Sequence, residues 1–297
     1  MRNKPLLTYF AIAFGVCWAA AAIIFFAGIP YGSFISTLIV ALICMPAPAL
    51  AAWFTWTKVM NRPFSELELR WQGSNKSMLM TIPIWLITFI GFYYLIVFLF
   101  GNLISIESFG LVDFSREQVL NKLDEMSQGQ FDPDSFPILS PTILLSIIIL
   151  AGIIVGSTFN LPFTLGEEIG WRGFMYTYLK TSSVTKRVLI TGIAWGIWHA
   201  PLILMGHNYP LNPVLGVFIM IAFCVILSFP MDWIRRTSAS ILGPAAFHGM
   251  INAVAGGVML FIVSGKELVS SLVGLSGIFS FGLVYLMQLT IHRSKKA

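Results

Sequence analysis

The strongest constraint on this 297-residue chain is where charge is missing. Between Lys4 and Lys58 lie 53 residues without Asp, Glu, Lys or Arg. Further charge-free runs separate Lys76 from Glu107, Asp134 from Glu167, Arg187 from Asp232, Arg236 from Lys266 and Glu267 from Arg293. A helix needs about 20 apolar residues to cross roughly 30 Å of hydrocarbon, so the two longest runs hold two spans each and the total is about eight. Composition agrees, with 10% charged residues where a soluble domain carries about 25%. A soluble enzyme, a disordered chain and a disulfide-stapled secreted domain are excluded. The expectation is all-α: a polytopic membrane helix bundle, one membrane domain over 1–297.

The spans are expected at about 6–28, 34–57, 78–100, from Thr142 onward, and at 188–206, 213–231, 239–264 and 268–291. The first is longer than the core of a signal peptide and leads straight into the second, so it reads as an uncleaved helix. Residues 101–140 are the long polar stretch, with seven acids (Glu107, Asp113, Glu117, Asp124, Glu125, Asp132, Asp134) against Arg116 and Lys122. With the N-terminus inside, fourteen Lys and Arg fall on cytoplasmic segments and three, Arg116, Lys122 and Lys266, fall outside. The positive-inside rule then places both termini in the cytoplasm and 101–140 as an acidic extracytoplasmic loop. The chain is thus read as an integral multi-pass membrane protein. Its net charge of +5 sits in short loops beside the spans, with no basic block interleaved with aromatics, so no nucleic-acid partner is expected. Cys17, Cys44 and Cys224 all fall within spans and read as small buried hydrophobes.

Ionisable residues at membrane depth cost at least about 2.5–3.5 kcal/mol each, so each is a functional candidate. The second half of the chain offers Glu167, Glu168, Arg172, His199 and His248, with Asn252 as a neutral companion. On a helix Glu168 and Arg172 stand four apart and can pair, while Glu167 points about 100° away as a free carboxylate. Trp195 and His199, and likewise His248 and Asn252, share faces at the same spacing. Counted from the basic helix ends at 1.5 Å per residue, Glu167, His199 and His248 lie roughly 20, 17 and 15 Å deep, in one layer. A straight helix from Thr142 to Lys180 is too long for the bilayer, and Pro162 is the expected break. Asp232 reads as an edge residue beside Arg235, and His207 and His292 as interface residues without a role.

One carboxylate, two imidazoles and a carboxamide suit activation of water for peptide hydrolysis. A carboxylate held away from water is a stronger base near neutral pH. Histidine and asparagine N–H groups can stabilise an oxyanion. The same set, Glu167, His199 and His248, can hold zinc with an open position for water, and the residues alone do not separate the two. The chain has no His-Glu-x-x-His and no Gly-x-Ser-x-Gly, and no aspartate pair sits within its spans.

Glu167-Glu168-x-x-x-Arg172, Trp195-x-x-x-His199 and His248-x-x-x-Asn252 resemble the three motifs of the CPBP family. These are the CAAX prenyl proteases and bacteriocin-processing or immunity proteins, also called Abi, which are intramembrane glutamate or metallo-endopeptidases. The stretches Leu165–Phe174 and Trp195–Pro201 are similar to prokaryotic members, and the core region of likeness is about 160–255. The resemblance implies that Glu167 is the general base and that His199 helps hold the attacking water. It implies that His248 and Asn252 stabilise the oxyanion while Glu168 and Arg172 fix the helix geometry. Trp195, near the site, stands where the family usually has phenylalanine.

The leading expectation is a membrane endopeptidase whose site opens to the cytoplasmic half. It would cut near the C-terminus, or in the membrane-proximal part, of a membrane-embedded or lipid-anchored substrate, prenylated or not. The alternatives are a non-catalytic immunity or scaffold relative on the same bundle, and a transporter. A transporter would show two related halves around a midplane site, and here the polar residues all lie in the second half.

Overall fold

The computed structural model describes residues 4–67, 76–132 and 139–294, with side chains to 291. Arg2, Arg70, Asp134, Lys295 and Lys296, which entered the charge count, lie outside the described residues, as does the side chain of His292.

Helices follow the charge-free runs closely, because a backbone in lipid must satisfy its polar groups internally. They are α1 (Lys4–Phe26), α2 (Phe34–Val59) and α3 (Lys76–Leu103). The acidic segment contributes α4 (Arg116–Met126), capped by the Ser115 side chain. Next come α5 (Pro141–Ser157) and α6 (Leu161–Tyr178), a pair bent by 60°. The break falls just before Pro162, which occupies the first turn of α6, where its missing N–H costs nothing. Then follow α7 (Val184–Trp198), α8 (Ala200–Leu204), α9 (Pro213–Ser238), α10 (Leu242–Phe261) and α11 (Leu275–Ser294).

Among the described residues six helices are long and apolar enough to cross a membrane, or seven if the bent α5–α6 pair is counted as one span. The eighth segment expected, 188–206, is α7 and α8, interrupted at His199. Large apolar side chains such as Phe26, Phe34, Leu99 and Phe218 point outward, as lipid permits.

Among the described residues, strand structure is confined to Leu111–Val112 paired antiparallel with Ile262–Val263. That ladder ties the acidic segment to the connector after α10, so both lie at one end of the bundle. The same end carries the α1–α2 and α8–α9 connectors. The opposite end carries Lys58, Lys180 and Arg236, as the charge asymmetry requires.

Small residues let the site-bearing helices approach. A side chain at Gly166, beside Glu167, would collide with the backbone of Met45 and Pro46 on α2. One at Gly249, beside His248, would strike the backbone of Gly156 on α5. Both contacts fix the depth and rotation of the adjoining polar residue.

Candidate active site

The two acids end the α-helical part of α6, and the next turn, Ile169–Met175, is a π-helix. Such wide turns are frequent at functional sites. Here the turn carries Arg172 back onto Glu168, with a closest N–O distance of 3.0 Å and both side chains buried. Arg172 also donates to Ser228 Oγ on α9 at 2.9 Å, and its guanidinium lies 4.5 Å from the Trp195 ring centroid. The ion pair is thus bound to two other helices, α9 through Ser228 and α7 through Trp195.

Glu167 is 3% exposed. It is not the free carboxylate that helical geometry alone suggests, because its Oε2 accepts from Trp195 Nε1 at 2.8 Å. Trp195, expected as a substrate-contact or packing residue near the site, is therefore a hydrogen-bond donor to Glu167. The Trp195 carbonyl meanwhile accepts from His199 Nδ1 at 2.8 Å. With the proton on Nδ1, the neutral His199 ring presents a bare Nε2 that can accept from water.

His248 is bonded differently from its sequence partner's suggestion. Its Nδ1 meets Glu168 Oε1 at 3.0 Å, so it joins the ion pair. Its Nε2 stays available, and acting there as an oxyanion donor requires the imidazolium, whose charge Glu168 would balance. The ring also packs edge-on against Trp195, with centroids 5.3 Å apart. Asn252, one turn on, is more open.

Glu167, Trp195, His199, His248 and Asn252 all line one cavity of about 300 Å³. Its walls are otherwise apolar, with Met220, Phe223, Leu227 and Leu272 prominent. Val273, His207 and the exposed Asn208 also line it, so the cavity reaches the connectors at the acidic-segment end. An opening in the half nearer the basic end was expected, and the helix starts explain the difference. α7 begins at Val184, so His199 lies roughly 22 Å from that start and only five residues before the end of α8.

Two further residues differ from expectation. Asp232, read as an edge residue beside Arg235, is buried, at 5% exposure. It takes two bonds from Arg187 at 2.7 and 3.0 Å and one from Arg236 at 2.8 Å. Arg235 instead donates to the carbonyl of Arg172 at 3.0 Å. His207, read as an interface residue without a role, lines the same cavity. Its sequence surroundings, Gly206, Asn208 and Pro210, signal only a turn.

The zinc expectation can be tested on the donors. His199 and His248 each have Nδ1 engaged and Nε2 available, the usual preparation of metal-binding histidines. Yet among the described residues no three His, Cys, Asp or Glu side chains converge closely enough to hold a metal ion. As arranged, the trio does not fit a zinc cage.

Comparison with known proteins bears on this same region. Residues 137–254 match the family model described as "Type II CAAX prenyl endopeptidase Rce1-like". That range contains every residue of the cluster from Glu167 to Asn252. The chain is also similar to CAAX prenyl protease 2 of Methanococcus maripaludis, 41% identical over 44 residues. The alignment covers 14% of this chain and 16% of that relative's length.

Proposed function

We propose that this chain, which carries a type II CAAX prenyl endopeptidase Rce1-like domain over residues 137–254, is an intramembrane endopeptidase that hydrolyses peptide bonds with a glutamate-activated water. The observation that carries the reading is Glu167 itself, a buried carboxylate with a neutral indole donor on one oxygen and a cavity in front of it. A water between Glu167 and His199 Nε2 would lose a proton to the carboxylate as its oxygen attacks the scissile carbonyl. Charge then develops on the carbonyl oxygen, and His248 and Asn252 stand on the cavity wall to receive it. Glu167 returns the proton to the leaving amine, which completes hydrolysis. Glu168 and Arg172 hold His248 and the α6 turn in place.

The apolar walls suit a hydrophobic segment beside the scissile bond, as expected of a membrane-embedded or lipid-anchored substrate, prenylated or not. No metal takes part in this reading. It is supported by the placing of the donors, since among the described residues no three His, Cys, Asp or Glu side chains converge closely enough to hold a metal ion. A scaffold or immunity role needs no cavity in front of a buried acid, and no observation favours it.

The test is cleavage of a panel of membrane-inserted peptides by the purified full chain and its Glu167→Gln variant, each with and without a chelator. Cleavage that survives chelation and disappears in the variant supports the reading. Bound stoichiometric zinc, lost in His248→Ala, would replace it with a metal mechanism.

A further inference from the structure

His207 is the third imidazole on the catalytic cavity, and neither the water nor the oxyanion employs it. It lies in the connector after α8, where its N–H donates to the Leu202 carbonyl at 3.1 Å and its carbonyl accepts from Tyr209 at 2.8 Å. Its ring is fixed from across the molecule, because Nδ1 stands 2.7 Å from the hydroxyl of Tyr31 in the α1–α2 connector. The His207 ring lies parallel to that of His199 within 1°, with centroids 6.4 Å apart. A residue on a turn at the cavity mouth has thus been clamped at both backbone and ring. A turn serving only as a connector does not need that.

The chemistry of the clamp sets what the ring offers. Burial pushes the His207 imidazole down to about 4, so it is neutral at pH 7. A phenol O–H donating to Nδ1 leaves the ring proton on Nε2. His199 has the opposite arrangement, with its proton on Nδ1 and a bare Nε2. The mouth therefore provides an N–H donor where the floor provides an acceptor. Among the described residues no Lys or Arg lines the cavity, and the charge that a His248 imidazolium would carry is balanced by Glu168, so an anionic group at the mouth would lack a compensating cation. A neutral carbonyl is the acceptor that matches.

We propose that His207, positioned by Tyr31, binds substrate by donating from Nε2 to a backbone carbonyl of the peptide lying between the scissile bond and the cavity mouth. The assignment rests on the peptidase reading and deepens it: the substrate enters as a peptide strand recognised by its main chain, not by a terminal carboxylate. Tyr31 is a positioning residue and touches no substrate.

The experiment uses the full chain in lipid nanodiscs with short, N-terminally fluorescent apolar peptides, each made as free acid and as amide. kcat and KM are measured for wild type, His207→Ala, His207→Gln and Tyr31→Phe. Dissociation constants for the uncleaved peptides are measured in Glu167→Gln with and without His207→Ala. A lost neutral hydrogen bond should raise KM and the dissociation constant up to about tenfold, equally for acid and amide, with kcat little changed. His207→Gln, which keeps a side-chain N–H, should recover most of the affinity, and Tyr31→Phe should lie between. An unchanged KM, or a fall in kcat alone, overturns the proposal. So does an effect confined to the free acids. If wild type cleaves none of the peptides, the peptidase reading fails. The binding arm then still decides His207, which is overturned if its removal leaves binding unchanged or if no peptide binds.

Discussion

Glu167 and Asp232 are both buried carboxylates, yet their surroundings differ. Asp232 sits on α9 toward the basic end, with three charge-assisted hydrogen bonds from two guanidiniums. The space beside it is about 10 Å³, room for at most one water. Glu167 accepts from the neutral indole of Trp195 and faces about 300 Å³ of cavity. Burial alone therefore does not mark a site. An acid whose charge is fully matched in closed space holds helices together. One whose charge is partly matched beside open space has capacity left for a proton and a substrate. Glu168 belongs with Asp232 in this respect, since Arg172 and His248 occupy it.

The contrast can be broken or sharpened by substitution. The largest effect should come from Glu167→Ala, which removes the base: cleavage should fall about 10²–10⁴-fold. Folding should survive, because an acid removed from a buried site relieves a desolvation cost. Cleavage rates and thermal melts on the same preparation check both halves.

The matched acids should behave in the opposite way. Asp232→Ala leaves Arg187 and Arg236 without their carboxylate, and removing one partner of a buried pair typically costs about 3–5 kcal/mol. Glu168→Ala and Arg172→Ala should lose stability similarly, seen as a lower melting temperature or poor expression. If these variants melt like wild type, the matched-charge account of both clusters is wrong.

His248→Ala and Asn252→Ala should each lower kcat about 10²–10³-fold with a smaller change in KM, because an oxyanion exists only in the transition state. The double variant should fall short of the product if the two act as a unit. The smallest effect is expected from Trp195→Phe, which deletes the one side-chain hydrogen bond described on Glu167. A bond to a charged group contributes about 1.5–3 kcal/mol, so kcat/KM should drop by about tenfold or somewhat more. No change in kcat/KM would mean that the indole packs against Glu167 without orienting it.

What the sequence revealed follows the range of each interaction. The helix positions were legible because lipid permits no charge within them. The Glu168–Arg172 pair was legible because its members are four residues apart. Bonds between helices were not. Trp195 reaches Glu167 across 28 residues of sequence and His248 reaches Glu168 across 80, so spacing within either helix says nothing of them. The partner of Asp232 was not legible for the same reason: its bidentate partner, Arg187 on α7, lies 45 residues away. The break at Pro162 was legible, but neither the 60° angle there nor the interruption at His199 is written in hydropathy. His207 carried no signal at all, since its ring partner Tyr31 lies 176 residues away.

The most direct test pairs one substitution from each environment: Glu167→Gln and Asp232→Asn, each measured for melting temperature and for kcat/KM per folded molecule. Both changes preserve shape and remove one negative charge. Glu167→Gln should keep the wild-type melting temperature and lose cleavage. Asp232→Asn should melt lower and, while folded, cleave at close to the wild-type rate. A Glu167→Gln enzyme that still cleaves within tenfold of wild type, or a stable Asp232→Asn enzyme that does not cleave, would contradict the account.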